Sequence, residues 1–161
     1  MTVTNVTSDA SALAVRFTSE YDAPAERVWQ MWADPRRLER WWGPPTYPAT
    51  FVDHDLRPQG RMSYYMTGPG GDRHHGWWRV TAVEAPRRIE FDNGMADENG
   101  EPVAHPPAMR VVVTLSERAG GGTRMEISAI FPSIEAMDTF LSMGFKEGLT
   151  GAMGQIDAIL A

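Results

Sequence analysis

The chain lacks cysteine, long apolar runs and an excess of basic residues. With no cysteine among 161 residues, it can form neither disulfides nor thiolate metal sites. It has no run of 18 apolar residues, so we expect no membrane-spanning helix. The formal net charge of -6 argues against a nucleic-acid partner, because phosphate binding needs clustered basic residues. Residues 1–15 lack the basic and apolar regions of a signal peptide, and we expect a cytoplasmic protein.

Motifs of the common enzyme classes are also missing. The sequence contains no H-E-x-x-H, Walker loop, dinucleotide fingerprint or G-x-S-x-G elbow. His74 and His75 are adjacent, but neighbouring residues on a strand point to opposite faces and do not easily chelate one ion. Tyr64 and Arg110 are the nearest candidates for acid–base chemistry, although Arg110 is out of phase with the buried residues. We therefore predict no metal site, no cofactor and no catalytic residue.

The stretch from Ser133 to Leu160 carries the clearest periodic pattern. Apolar residues recur there at helical spacing, which predicts one long amphipathic helix capped by Ser133. Gly144, Gly148 and Gly151 fall within its apolar face, where each costs about 0.8–1 kcal/mol of helix propensity relative to alanine. Two explanations remain open. The glycines either let the backbone approach large side chains closely, or they leave room for a ligand.

The remaining residues are patterned as one strand, two short helices and six further strands. Residues 13–21 alternate as a strand, and Pro24 and Asp34–Pro35 each begin a helix. The six later strands are expected at 48–55, 61–67, 75–84, 88–92, 108–116 and 123–131. We therefore predict an α+β fold in which a seven-stranded, curved antiparallel sheet wraps around the long C-terminal helix.

This pattern also predicts the domain organisation. We expect a flexible N-terminus at 1–12 and a single domain at 13–161, with the two short helices between the first two strands. Residues 93–107 form a long loop without regularity, of the kind that often acts as a mobile lid. We predict that this loop orders when a ligand binds.

Four segments resemble a known family. They are Arg27-Val28-Trp29, the run Trp41-Trp42-Gly43-Pro44, residues 55–61 with the sequence DLRPQGR, and residues 144–149 of the last helix. Together they resemble the proteins related to the Hsp90 ATPase activator C-terminal domain, within the START-like superfamily. The resemblance covers nearly all of the chain from about residue 13. The sequence departs from the family pattern at Gln59, where glycine is usual, and at Leu149, where many relatives carry Trp.

The resemblance implies a helix-grip fold, whose START-like members commonly bind apolar ligands between sheet and helix. On that basis we predict a cavity whose walls are the inward-facing residues of the strands and the helix. Trp42 and Phe51 are included on the resemblance alone. The predicted ligand-binding residues are Trp42, Phe51, Met62, Tyr64, Met66, Trp78, Phe91, Met109, Val111, Phe140, Phe145, Gly148, Leu149 and Gly151.

Three classes of function remain open. The first is a non-catalytic binder of a small apolar or aromatic ligand, as a monomer or homodimer. The second is a cyclase- or isomerase-like enzyme in the same cavity, which a buried ionisable group at the wall would favour. The third, implied by the family name, is a chaperone-interacting module, which a filled interior and a large exposed patch would favour.

Overall fold

One antiparallel sheet and the helices that pack on it make up the described part of the chain. The computed structural model describes residues 3–161, with side chains from Asn5 onward. The elements are β1 (Val3–Asp9), β2 (Ala14–Tyr21), α1 (Ala25–Ala33), α2 (Pro35–Trp41), β3 (Ala49–His54), β4 (Arg61–Thr67), β5 (Arg73–Glu84), β6 (Arg88–Ala96), β7 (Met109–Glu117), β8 (Thr123–Ile130), α3 (Ile134–Ser142), α4 (Phe145–Met153) and α5 (Ile156–Leu160). The strand order is β1-β2-β8-β7-β6-β5-β4-β3. The predicted helix-grip α+β fold is confirmed.

The sheet has eight strands, whereas the alternation predicts seven. The additional strand, β1, lies within the segment expected to be flexible and pairs with β2 from Val3–Ser19 to Asp9–Ala14. Its side chains from Asn5 to Asp9 are mostly exposed, so backbone pairing at the sheet edge holds the strand in place. The segment has no alternating apolar pattern from which a strand could be predicted. Met1 and Thr2 lie outside the described residues. The domain boundary at residue 13 stays a prediction.

The two short helices begin as their sequences predict. Asp34 caps α2 by accepting a hydrogen bond from the backbone N–H of Arg36 at 2.9 Å, and Pro35 occupies the first helical position. Pro24 precedes α1 with an extended backbone. These two starts place the tryptophans of α1 and α2 against the sheet.

An aromatic cluster fills the core where α1 and α2 meet the sheet. The ring centroids of Trp32 and Trp41 lie 4.8 Å apart, and Trp42 lies 4.8 Å from Trp78 of β5. Trp78 in turn stacks on Phe91 of β6 at 3.9 Å. Aromatic pairs at these distances contribute about 0.5–1.5 kcal/mol each beyond the area they bury. The cluster therefore packs this end of the sheet tightly.

The C-terminal helix is interrupted, contrary to the prediction of one continuous helix. Ser133 caps α3 as expected, accepting a hydrogen bond from Ala136 N–H at 3.1 Å. After α3, Gly144 has φ of 86°, a left-handed conformation through which an α-helix does not continue. Gly154 and Gln155 keep right-handed helical angles, so the separation of α4 from α5 is slight. Within residues 3–161, no helix has the length and hydropathy needed to cross a membrane.

The predicted loop at 93–107 is shorter than expected, because β6 continues to Ala96. Its pairing with β5 extends to the His75–Ala96 pair. The indole ring of Trp77 covers Gly94, and its N–H donates to the carbonyl of Met95 at 3.0 Å. Asn93 and Gly94 interrupt the apolar alternation, which is why the pattern misses the end of this strand. The proposed ordering of the loop on ligand binding stays a prediction, now confined to residues 97–107.

Candidate ligand-binding cavity

A cavity of about 470 Å³ lies between strands β4–β7 and the α3–α4 junction. Eight of the fourteen predicted ligand-binding residues line it: Trp42, Tyr64, Met66, Met109, Phe140, Phe145, Gly148 and Leu149. Each comes from the inner phase of a strand, from the end of α2 or from the α3–α4 region. The alternation argument therefore identifies the correct face of the sheet for these positions.

The other six predicted residues lie away from the cavity: Phe51, Met62, Trp78, Phe91, Val111 and Gly151. The five with side chains are buried in the core, none more than 4% exposed. Alternation assigns a residue to a face but does not say which end of that face the tryptophans of α1 and α2 cover. Gly151 faces the loop after α2, where an added Cβ would meet Pro44 and Pro45 at 3.8 Å, an ordinary contact distance.

Ten residues outside the predicted set also line the cavity: Pro44, Tyr47, His74, His75, Gly76, Asn93, Gly94, Met95, Met143 and Gly144. A usable signal exists for two of them. Ile89 and Phe91 define the inner phase of β6, and the same phase continues through Asn93 to Met95. The residues contributed by the loop after α2 and by the start of β5 carry no comparable pattern.

The helical side of the cavity has open space at Gly148. A Cβ built on Gly148 or on Gly144 would find no atom within 4 Å, apart from its own helix and chain neighbours. Close backbone approach therefore does not explain Gly148, although its position within α4 costs helix propensity. Met143, next to the gap, is 54% exposed and lies at the outer rim. Of the two explanations left open for the glycines, the space at Gly148 favours room for a ligand.

The buried end of the cavity is polar. Tyr64, Asn93 and Trp42 all line it, and none is more than 8% exposed. Asn93 Nδ2 donates to the Tyr64 hydroxyl oxygen at 3.1 Å and to the backbone carbonyl of Trp77 at 3.1 Å. The Tyr64 ring lies directly over Gly76, where an added Cβ would come within 2.4 Å of Cζ and the hydroxyl oxygen. The glycine therefore admits the ring, and the asparagine orients the hydroxyl.

Burial raises the pKa of the Tyr64 hydroxyl, and the neighbouring N–H groups of Trp42, Asn93 and Trp78 partly oppose that rise. The hydroxyl is therefore protonated at neutral pH. The indole N–H groups of Trp42 and Trp78 approach it without completing a hydrogen bond, and both nitrogens are buried without a partner among the described residues. The Tyr64 oxygen thus lies among N–H groups, and the two indole nitrogens have almost no surface open to the cavity.

Fixed charges are absent from the described cavity wall, which contains no Lys, Arg, Asp or Glu. His74 lines it near the start of β5 and pairs with Asp72 at 2.8 Å. His54 lies outside the cavity, where it contacts the carbonyl of Trp32 at 2.9 Å and holds β3 against α1. Within residues 3–161, no group of three histidine or carboxylate side chains is arranged to hold a metal ion. This wall suits a neutral, largely apolar molecule.

The fold and cavity can now be compared with known proteins. A sequence profile of the activator of Hsp90 ATPase homolog 1-like proteins matches residues 22–161. The chain belongs to this family. Protein Ms6760 from Mycobacterium smegmatis is 46% identical, with a TM-score of 0.91 over 99% of this chain and 97% of that one. A protein from Arthrobacter aurescens is 48% identical, with a TM-score of 0.94 over 99% and 92%.

More distant members of the activator of Hsp90 ATPase homolog 1-like family share the fold alone. The AHSA1 protein from Silicibacter pomeroyi is 22% identical, with a TM-score of 0.75 over 91% of this chain and 96% of that one. No curated protein matches the chain. The comparisons therefore establish the family and the fold, and the chemistry of the cavity has to be argued from its own residues.

The family hairpin at residues 55–61 joins β3 to β4 outside the cavity. Gln59, where relatives usually have glycine, has φ of 72°, which is the left-handed region that glycine occupies without strain. Its side chain accepts a hydrogen bond from Arg79 at 3.2 Å on the surface. The departure from the family pattern at this position therefore concerns stability and not ligand binding. Leu149, the other departure, lines the cavity.

Proposed function

We propose that this protein binds a small apolar or aromatic molecule in the cavity between β4–β7 and the α3–α4 junction, without catalysing a reaction on it. The observation that carries the proposal is the open space beside Gly148 in a largely apolar wall. Small-molecule sites are usually concave and mostly apolar with a few polar groups, and this cavity has that form. Its volume of about 470 Å³ falls within the range of about 300–1,000 Å³ typical of small-molecule sites.

The apolar part of the wall supports a ligand of adaptable shape. Met66, Met95, Met109 and Met143 all line the cavity. Methionine is unbranched and polarisable, so it fills irregular gaps and contacts aromatic rings favourably. Burying a charged group against this wall would be costly, since no oppositely charged side chain compensates it. These properties favour a neutral ligand with a large apolar surface.

An enzyme is the second candidate, and one observation favours it. Tyr64 places a protonated hydroxyl on the cavity wall, where it could act as a general acid. Proton transfer in a cyclase- or isomerase-like reaction also needs a base, and the described wall offers only His74 and His75 near its outer end. The chaperone-interacting alternative calls for a filled interior, and the space at Gly148 does not support it.

Native mass spectrometry of the protein purified from its own host tests the proposal. We expect a complex whose mass exceeds that of the polypeptide alone. The additional mass should be that of a small molecule, which is released on denaturation. A Gly148→Leu variant should carry much less of it, whereas Gly151→Ala, which changes the same helix outside the cavity, should carry as much as wild type. Equal loading of wild type and Gly148→Leu would contradict the proposed site.

A second measurement separates binding from catalysis. The released molecule is added back to ligand-free protein and recovered after incubation. Recovery of the unchanged molecule supports a binding protein. Recovery of an altered molecule, with the alteration lost in Tyr64→Phe, would instead establish the enzyme.

A further inference from the structure

We propose that the ligand of this cavity carries an uncharged carbonyl group, whose oxygen accepts a hydrogen bond from the Tyr64 hydroxyl at the buried end. The inference rests on the proposed binding function and adds the chemical class of the ligand. It starts from a donor that the folded chain leaves without an acceptor.

The oxygen of the Tyr64 hydroxyl is surrounded by side-chain N–H groups. Those of Trp42, Asn93 and Trp78 all face it and oppose the rise that burial causes in the pKa of Tyr64. Of the three, Asn93 alone completes a hydrogen bond to the oxygen. The two indole nitrogens are buried and have almost no surface that a molecule in the cavity could contact.

The Tyr64 hydroxyl itself is the donor that remains. Its oxygen accepts a hydrogen bond from Asn93 Nδ2 at 3.1 Å. The same amide group donates its other proton to the backbone carbonyl of Trp77 at 3.1 Å. Asn93 is thereby held as a donor toward Tyr64, so the hydroxyl proton has to point elsewhere. No acceptor for it lies among the described residues. This proton is available to a ligand.

The surrounding wall restricts the acceptor to a neutral one. The hydroxyl proton needs an oxygen lone pair as its acceptor, which a carbonyl group provides. A carboxylate would also accept the bond, but no Lys or Arg lines the described cavity to compensate its charge. A hydrocarbon would leave the hydroxyl proton unsatisfied. Ketones, quinones, esters and amides with an apolar body share the required chemistry.

The test compares three naphthalene probes of nearly equal shape. They are naphthyl methyl ketone, isopropenylnaphthalene, in which a methylene group replaces the carbonyl oxygen, and naphthoate, which is charged. Calorimetry or competition against an apolar fluorescent dye gives each dissociation constant. We expect the ketone to bind about tenfold more tightly than the alkene, and naphthoate to bind more weakly than the ketone. Tenfold corresponds to about 1.4 kcal/mol, as expected for hydrogen bonds formed in exchange for those with water.

Tyr64→Phe should bring the affinity for the ketone close to that for the alkene and leave the alkene affinity unchanged. The phenylalanine ring can still lie over Gly76, so alkene binding reports that the variant is folded. Tyr65→Phe is the matched control, because it makes the same change on the opposite face of β4 and should keep the tenfold preference.

Each outcome decides between the two proposals. If wild type binds ketone and alkene equally, the Tyr64 hydroxyl does not recognise a carbonyl and this inference fails, while the proposed binding function stands. Tightest binding of naphthoate, or an unchanged preference in Tyr64→Phe, would also overturn the inference. If neither neutral probe binds and no host molecule is found, the proposed function fails with it.

Discussion

Replacing Gly148 with leucine tests whether the space beside α4 is a ligand site. Gly148 lies inside α4, and a Cβ there would have no neighbour within 4 Å outside its own helix. The leucine side chain can therefore extend into the cavity without displacing core residues. Leucine also has a higher helix propensity than glycine, by roughly 0.6–0.8 kcal/mol. We expect the ligand-free variant to be as stable as wild type, or more stable by up to about that amount.

The same side chain should weaken ligand binding considerably. It occupies space next to Phe145 and Leu149, which line the cavity. Each methylene group of a ligand that loses its buried position costs about 0.8 kcal/mol. Displacing two or three of them costs about 2 kcal/mol, which corresponds to a roughly thirtyfold weaker affinity. Stability and affinity should thus change in opposite directions.

Chemical denaturation without ligand and titration with an apolar fluorescent dye measure the two effects. Gly148→Ala is the matched control, since it gains helix propensity but adds only one carbon to the cavity. It should be about as stable as Gly148→Leu and should bind the dye nearly as well as wild type. The cavity reasoning is wrong if Gly148→Leu loses about 1–3 kcal/mol of stability, the usual cost of overpacking a filled core. Unchanged dye affinity in this variant would equally contradict it.

Three further predictions concern stability. Gln59→Gly should raise the free energy of unfolding, measured in urea, by about 0.5–1 kcal/mol. The left-handed backbone costs glutamine about 1–2 kcal/mol, and the greater conformational entropy of glycine in the unfolded chain offsets part of the gain from removing that cost. A destabilised variant would refute the argument. Gly76→Ala should lose about 1–3 kcal/mol in the same assay, since the new Cβ would press on the Tyr64 ring at 2.4 Å; wild-type stability would show that the ring is free to move. Burial raises the pKa of Tyr64 and of Tyr21 above the usual 10.0. The unfolded chain therefore loses these protons first, and the free energy of unfolding should fall as pH rises above about 10, less steeply in Tyr64→Phe.

Local sequence patterns predict most of the sheet because strand residues alternate strictly between its two faces. Met62, Tyr64 and Met66 of β4 are assigned to one face by this rule. The structure places Met62 in the core and the other two at the cavity. Which of these residues reaches the cavity depends on where α1 and α2 pack. The alternation of residues within β4 contains no information about that packing. A strand pattern can therefore identify candidate wall residues, but it cannot separate those that touch a ligand from those that fill the core.

Edge strands and polar walls are harder to predict for a different reason. β1 buries little apolar surface, so it is held by backbone hydrogen bonds that any sequence can form. Asn93 interrupts the apolar alternation of β6, so the sequence pattern predicts a loop there. In the structure it lies inside the sheet and orients the Tyr64 hydroxyl. The residue that breaks the pattern here belongs to the candidate site. A polar residue at an inward position of a strand conflicts with the pattern of a well-packed core, and such conflicts are expected at functional sites.

The three glycines of the C-terminal region show how one periodic pattern can conceal three physical roles. Gly144 takes a left-handed conformation and ends α3, Gly148 faces open space, and Gly151 lies at contact distance from two prolines. Helical spacing places all three on one face only if the helix is continuous, and the break at Gly144 removes that condition. The break also puts the α3–α4 junction at the edge of the cavity. At this junction the helical region and the sheet leave the space in which we propose that a ligand binds.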